Sequence, residues 1–172
     1  MKVKDIISKL ESSQEFKSWR MANREAYLAH LFCMVEDEPG TWQVGYYDRK
    51  ADTITSFDLT DTGIKALPPE EVFKREGTGV KELKEEAIRI DIGDALSIAE
   101  KLQKTKYPGD IPVKRIVVLQ TLADGQVYNI TYVTKNFKTL NIKISSETGK
   151  IMDEQLAPIF SFDKRETDSA KE

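Results

Sequence analysis

Cys33 is the only cysteine and His30 the only histidine in 172 residues. One thiol cannot form an internal disulfide framework. A zinc site would need more ligands of these two types than the chain owns, and any general-base role would rest on His30 alone. No run approaches the roughly 18 apolar residues that a membrane-spanning helix requires. The opening stretch MKVKDIISKLESS mixes charges into its apolar positions and lacks the unbroken apolar block of a signal peptide. A long basic stripe is also missing. Lys and Arg number 26 against 29 Asp and Glu, for a formal charge of -3 and a pI near 5.4, so no global field favours nucleic acid or an anionic membrane. These absences lead us to expect a soluble cytoplasmic protein with no metal, no cofactor, no nucleic-acid partner and no membrane partner.

The apolar content is sufficient for a core: 40% of residues are hydrophobic beside 32% charged. Val3, Ile6, Ile7 and Leu10 recur at helical spacing. Ser12 with Glu15 reads as a capping box opening a second helix, with Phe16 and Trp19 inward and Asn23 as its stop. AYLAHLFCMVE, residues 26–36, is apolar on both parities and reads as a strand covered on two faces. WQVGYYD and TITSFDLT follow as strands around the tight connection RKAD. Residues 67–79 carry two prolines and two glycines and read as a linker. Asp91 with Asp94 forms a second capping box, and Ile92, Ala95, Leu96, Ala99 and Leu102 continue at helical spacing until YPGDIP ends the helix. Three further strands are expected in VKRIVVLQTL, QVYNITYVT and FKTLNIKI, and residues 163–172 read as a frayed tail.

Each half therefore reads helix, strand, strand, strand, closing on an acidic residue followed by Thr-Gly. Gln43-Val44 lies over Gln126-Val127, and Asp61-Thr62-Gly63 over Glu147-Thr148-Gly149. A strand that must reverse wants a glycine able to take positive φ, preceded by small polar residues that bond the local backbone.

Residues 91–151 resemble the PepSY module associated with protease propeptides. The resemblance rests on the helix from Ala95 to Ala99, on Val127-Tyr128-Asn129-Ile130, and on Ser145-Ser146-Glu147-Thr148-Gly149-Lys150-Ile151. Ser145 stands where that family usually has aspartate. The resemblance implies a cystatin-like build, a helix on a curved antiparallel sheet, and a non-catalytic module proposed to inhibit or chaperone proteases.

Other motifs carry less. Asp61-Thr62-Gly63 matches the aspartic-protease signature, but that chemistry needs two aspartates sharing a proton and the second copy offers Glu147. His30 and Cys33 would form a nucleophile pair only on a helix; on a strand they point to opposite faces. The acidic clusters Glu36-Asp37-Glu38 and Glu85-Glu86 read as solvated surface. Gly77 to Gly79 lacks a Walker pair. Trp42, Tyr46, Tyr47, Tyr128 and Tyr132 fall at similar places in the two halves and are the candidate interaction surface, with burial at the joint between the halves as the alternative.

The sequence thus leads us to expect an α+β protein of two tandem cystatin/PepSY-like units. Residues 1–66 form the first, 67–79 the linker and 80–162 the second. The expected function is a non-enzymatic binding or regulatory module acting on a protein partner, or on a second copy, through its sheet faces. The alternative is a small-molecule binder or simple enzyme with a cavity near His30.

Overall fold

A computed structural model describes residues 2–35, 39–72 and 79–160. The middle of the expected linker, the Glu36–Glu38 cluster, Gly77 and the tail lie outside the described residues. The protein is α+β. Among the described residues three α-helices accompany nine strands in one antiparallel sheet, in the order β4 (Gly63–Ala66), β3 (Thr53–Thr60), β2 (Pro39–Asp48), β1 (Tyr27–Val35), β6 (Pro112–Leu122), β7 (Gly125–Thr134), β8 (Lys138–Ser145), β9 (Ile151–Pro158), with β5 (Glu70–Glu71) also pairing β3.

Helix α1, Val3–Ser12, buries Val3, Ile6, Ile7 and Leu10, the set its spacing foretold. Helix α2, Gln14–Ala22, starts one residue later than the Ser12 expectation. Ser13 has the extended backbone that a cap requires, and its hydroxyl accepts from the Phe16 N–H at 3.1 Å. Ser12 ends α1 instead, its hydroxyl donating back to the Lys9 carbonyl. Asn23 closes α2, donating its side-chain amide to the Trp19 carbonyl.

Strands β1 (Tyr27–Val35), β2 (Pro39–Asp48), β3 (Thr53–Thr60) and β4 (Gly63–Ala66) form a meander, and β5 (Glu70–Glu71) returns along β3. Helix α3, Ile92–Lys106, has the expected Asp91/Asp94 capping box. A second meander follows: β6 (Pro112–Leu122), β7 (Gly125–Thr134), β8 (Lys138–Ser145) and β9 (Ile151–Pro158). Among the described residues each half has a fourth strand, β4 or β9, beyond the three expected, and the first half adds the two-residue β5.

The meanders meet at β1 and β6, where Leu31 pairs Leu119 and Cys33 pairs Val117, with Phe32 and Val118 between them. The strands on both sides of the 67–79 segment thus share one sheet. Registers place Trp42, Val44 and Tyr46 of β2 where Tyr128, Ile130 and Tyr132 stand in β7. The expected overlay of Gln43-Val44 on Gln126-Val127 is therefore corrected. Val44 faces the helices and Val127 the opposite side, because alternate residues of a strand point to opposite faces. Gly63 (φ +143) closes a two-residue turn and Gly149 (φ +72) a longer one, its N–H donating to the Ser145 carbonyl. Both conformations favour glycine.

One core lies between the sheet and the helices, with α1, α2 and α3 contributing to the same cluster. The connection leading into α3 is stitched to both halves. The Leu83 N–H donates to the Leu28 carbonyl, and the Arg89 and Ile90 N–H groups donate to the Ser146 carbonyl. Gln126 clamps this segment from β7: Oε1 accepts from the Lys84 N–H, and Nε2 donates to the Lys84 carbonyl and to Ser146 Oγ. Asp91 Oδ1 accepts from both Ile92 and Val3, so one carboxylate caps α3 and holds the start of α1.

Candidate binding surfaces

The five candidate aromatics are buried, and the expectation that they form an interaction surface is corrected. Trp42 is the most exposed of them, at 7%. Trp42, Tyr46, Tyr128 and Tyr132 lie in the core beneath the helices. Tyr46 packs edge-on to Trp19 and Phe57, and its hydroxyl donates to Glu11. The Tyr128 hydroxyl donates to the Ile90 carbonyl. Burial raises both phenol pKa values. Tyr47, on the other face, packs against Tyr27 and donates to Asp52. Large aromatics offer the most apolar area for a core, which is where four of them went.

His30 and Cys33 sit on β1 with opposite orientations, so they do not converge. Cys33 is fully buried, and that burial pushes its thiol up to about 12. The His30 ring lies flat over Gly45, where an added Cβ would meet Cε1 at 2.2 Å. Burial lowers the imidazole pKa below 6.5. Asp61 and Glu147 stand in turns at opposite edges of the sheet and cannot share a proton. Glu147 pairs with Arg89 instead. Glu85 is half-buried near Glu11; burial, then the Glu11 charge, raises its pKa. Among the described residues no three His, Cys, Asp or Glu side chains converge as a metal site.

Two surfaces remain that the sequence did not single out. The first is the sheet face opposite the helices. One transverse row crosses all eight strands of the main path. Phe32 and Val118 sit at its centre, Gln43 and Asn129 outside them, then Asp58 and Lys143, and Lys65 and Asp153 at the edges. Met34 is exposed and Ile116 half-buried beside the centre. Gln43 donates to Asp58, and Lys143 pairs with Asp153 at 2.7 Å.

The second is a cleft of about 660 Å³ on the helix side, between the last turns of α3 and the start of β6. Its apolar wall includes Val35, Pro108, Ile111 and Val113; Lys104, Lys114 and Arg115 give it three cations against the single acid Glu100. Glu100 is already paired with Lys104 at 2.5 Å, which lowers its pKa. Gln103 is buried with both amide hydrogens spent on the carbonyls of Tyr107 and Asp110, leaving Oε1 as its acceptor. Tyr132, 2% exposed, lines the same cleft. Burial pushes its phenol up to about 12, with Arg115 and Glu100 exerting smaller opposed effects. Among the described residues its hydroxyl has no hydrogen-bond partner. The signal for this site in the sequence was Tyr132 itself, but nothing in the sequence indicated that α3 would end beside it.

No protein-family model matches the chain, and no curated protein matches it. The fold is similar to that of a solved protein from Clostridium difficile 630, provisionally described as a lipoprotein. The TM-score is 0.58 at 16% identity, over 91% of this chain and 93% of that one. At this identity the likeness is one of fold.

Proposed function

We propose that the protein is a non-catalytic binding protein, built from two PepSY-like halves, that takes an apolar carboxylate in the α3–β6 cleft. The mirrored strand order and the in-phase core positions of β2 and β7 support the two-unit reading. The separation of His30 from Cys33 supports a non-catalytic role.

The observation that carries the binding reading is the Tyr132 hydroxyl. This hydroxyl bonds to no described residue and is not sealed from water; it opens onto a cleft whose volume suits a small ligand. The apolar wall takes the ligand body. Tyr132 and Arg115, its cross-strand neighbour on the same face, take its carboxylate, since a phenol donates well to an anion and Arg115 adds charge.

Titration of the whole chain with octanoate, followed by amide NMR, tests this. Saturable shifts confined to the cleft are expected, and Tyr132→Phe weakens binding about tenfold, as loss of a hydrogen bond to a charged group implies. The same substitution leaves the free protein about as stable as before, because the hydroxyl it removes meets only the water of the cleft. An apolar peptide with a free carboxy-terminus, compared with its amide, distinguishes a peptide end from an acyl chain as the source of the carboxylate. No saturable binding of any probe, or equal binding by Tyr132→Phe, overturns the reading.

A further inference from the structure

The transverse row on the open face has a property that neither half has alone. Read from one edge, it runs Lys65, Asp58, Gln43, Phe32; read on through the second half, it runs Val118, Asn129, Lys143, Asp153. Polarity is symmetric about the centre, whereas charge is reversed. Two copies stacked face to face about a twofold axis parallel to the strands would set each position of the row against its counterpart from the other end. Phe32 would then meet Val118, Gln43 would meet Asn129, Asp58 would meet Lys143 and Lys65 would meet Asp153. Every contact is apolar on apolar, amide on amide, or cation on anion. A twofold contact must be self-complementary in this way, and a row with equal charges at matching positions would forbid it.

We infer that the open sheet face is the interface of a homodimer, with the second copy of this chain as its partner. Strands spaced about 4.8 Å apart make the face about 34 Å wide, and strands of eight residues run about 27 Å. The face therefore offers on the order of 900 Å² per copy, against roughly 800 Å² per partner in a standard interface. The two sheets would lie about 10 Å apart with their strands nearly aligned. Met34 and Ile116, beside the central pair, become covered in the process. The cleft at Tyr132 is on the other side of the sheet and stays open, so the dimer neither requires nor blocks the ligand.

Charge reversal tests the pairing directly. Sedimentation or light scattering of the whole chain is expected to show a concentration-dependent dimer. Asp58→Lys alone, or Lys143→Asp alone, weakens association at least tenfold. Mixing the Asp58→Lys chain with the Lys143→Asp chain gives a heterodimer with affinity within about threefold of the original. The double variant Asp58→Lys/Lys143→Asp also dimerises. Within one chain that double variant places like charges beside Lys65 and Asp153, so a merely structural role predicts it to be the worst of the set. Lys65 is exposed at the sheet edge, and Lys65→Glu gives an arm with little risk to folding; it should weaken the dimer several-fold. A chain that stays monomeric up to its solubility limit overturns the inference. So does a dimer indifferent to the single reversals and to Lys65→Glu, or single variants that fail to associate when mixed.

Discussion

Replacing Asp91 by alanine tests the junction between the two halves. Its carboxylate accepts from Ile92 at 2.9 Å and from Val3 at 3.0 Å, and it completes a capping box with Asp94. Loss of the cap costs about 1 kcal/mol and loss of the Val3 bond about 1 kcal/mol. Removing a negative charge from beside two helix N-termini adds several tenths of a kcal/mol. The expected loss for Asp91→Ala is thus about 2–3 kcal/mol, a fall in urea midpoint of about 1 M at a typical slope. Two further substitutions divide that sum. Asp91→Asn keeps the acceptor and loses only the charge, for about 0.5 kcal/mol. Asp91→Ser keeps the local cap, but its shorter side chain does not reach Val3, for about 1 kcal/mol. The assay is urea unfolding followed by circular dichroism and tryptophan fluorescence, which should coincide. A cost for Asp91→Ala below about 0.5 kcal/mol refutes the double role. An Asp91→Ser variant as stable as the parent shows that the Val3 bond contributes nothing.

His30 is the only imidazole, so its proton NMR signal titrates without overlap. Its folded pKa lies below the unfolded value of 6.5, so the unfolded chain binds the extra proton first. Stability is fully present above that pH and falls as the solution is acidified through and below it; His30→Gln should flatten this part of the profile. Gly45→Ala displaces the ring that lies over it, so the imidazole pKa should climb toward 6.5 as the ring meets water, with a stability loss of about 1–2 kcal/mol. An unmoved pKa would mean the ring is held by something other than that contact. Cys33, buried and with its thiol pushed up to about 12, should react with a disulfide reagent only as fast as the protein opens; rapid labelling of native protein would contradict its position. Gln126→Ala removes the clamp on residues 84–90 and should cost about 2 kcal/mol while speeding amide exchange there.

Periodicity was most readable where one face of an element is buried and the other wet. The α1 stripe, the Asp91 cap and the run of in-phase apolar residues in β8 were all visible for that reason. The strands β4 and β9 were not. GIKA is only four residues long, and IMDEQLAP lies at an edge where half its side chains meet water, so neither carries an apolar rhythm. The aromatics were misplaced because a tyrosine suits a core and an interface equally; only the register shows which face each occupies. Tyr46 and Tyr47 are neighbours in sequence and on opposite sides of the sheet. The α3–β6 cleft depends on where two distant segments end, which local patterns do not record.

The seam between β1 and β6 bears on how the chain emerges from the ribosome. When β1 has been made, its hydrogen-bonding partner on that side is still about half the chain away in sequence. At about 5–20 residues per second, the edge of Tyr27–Val35 stands bare for roughly 4–17 s. During that interval it is an apolar strand with open amides, the kind of surface that recruits stray chains. The nascent first half is therefore expected to depend on holding chaperones, and cutting the gene between the halves should yield inclusion bodies rather than two small proteins.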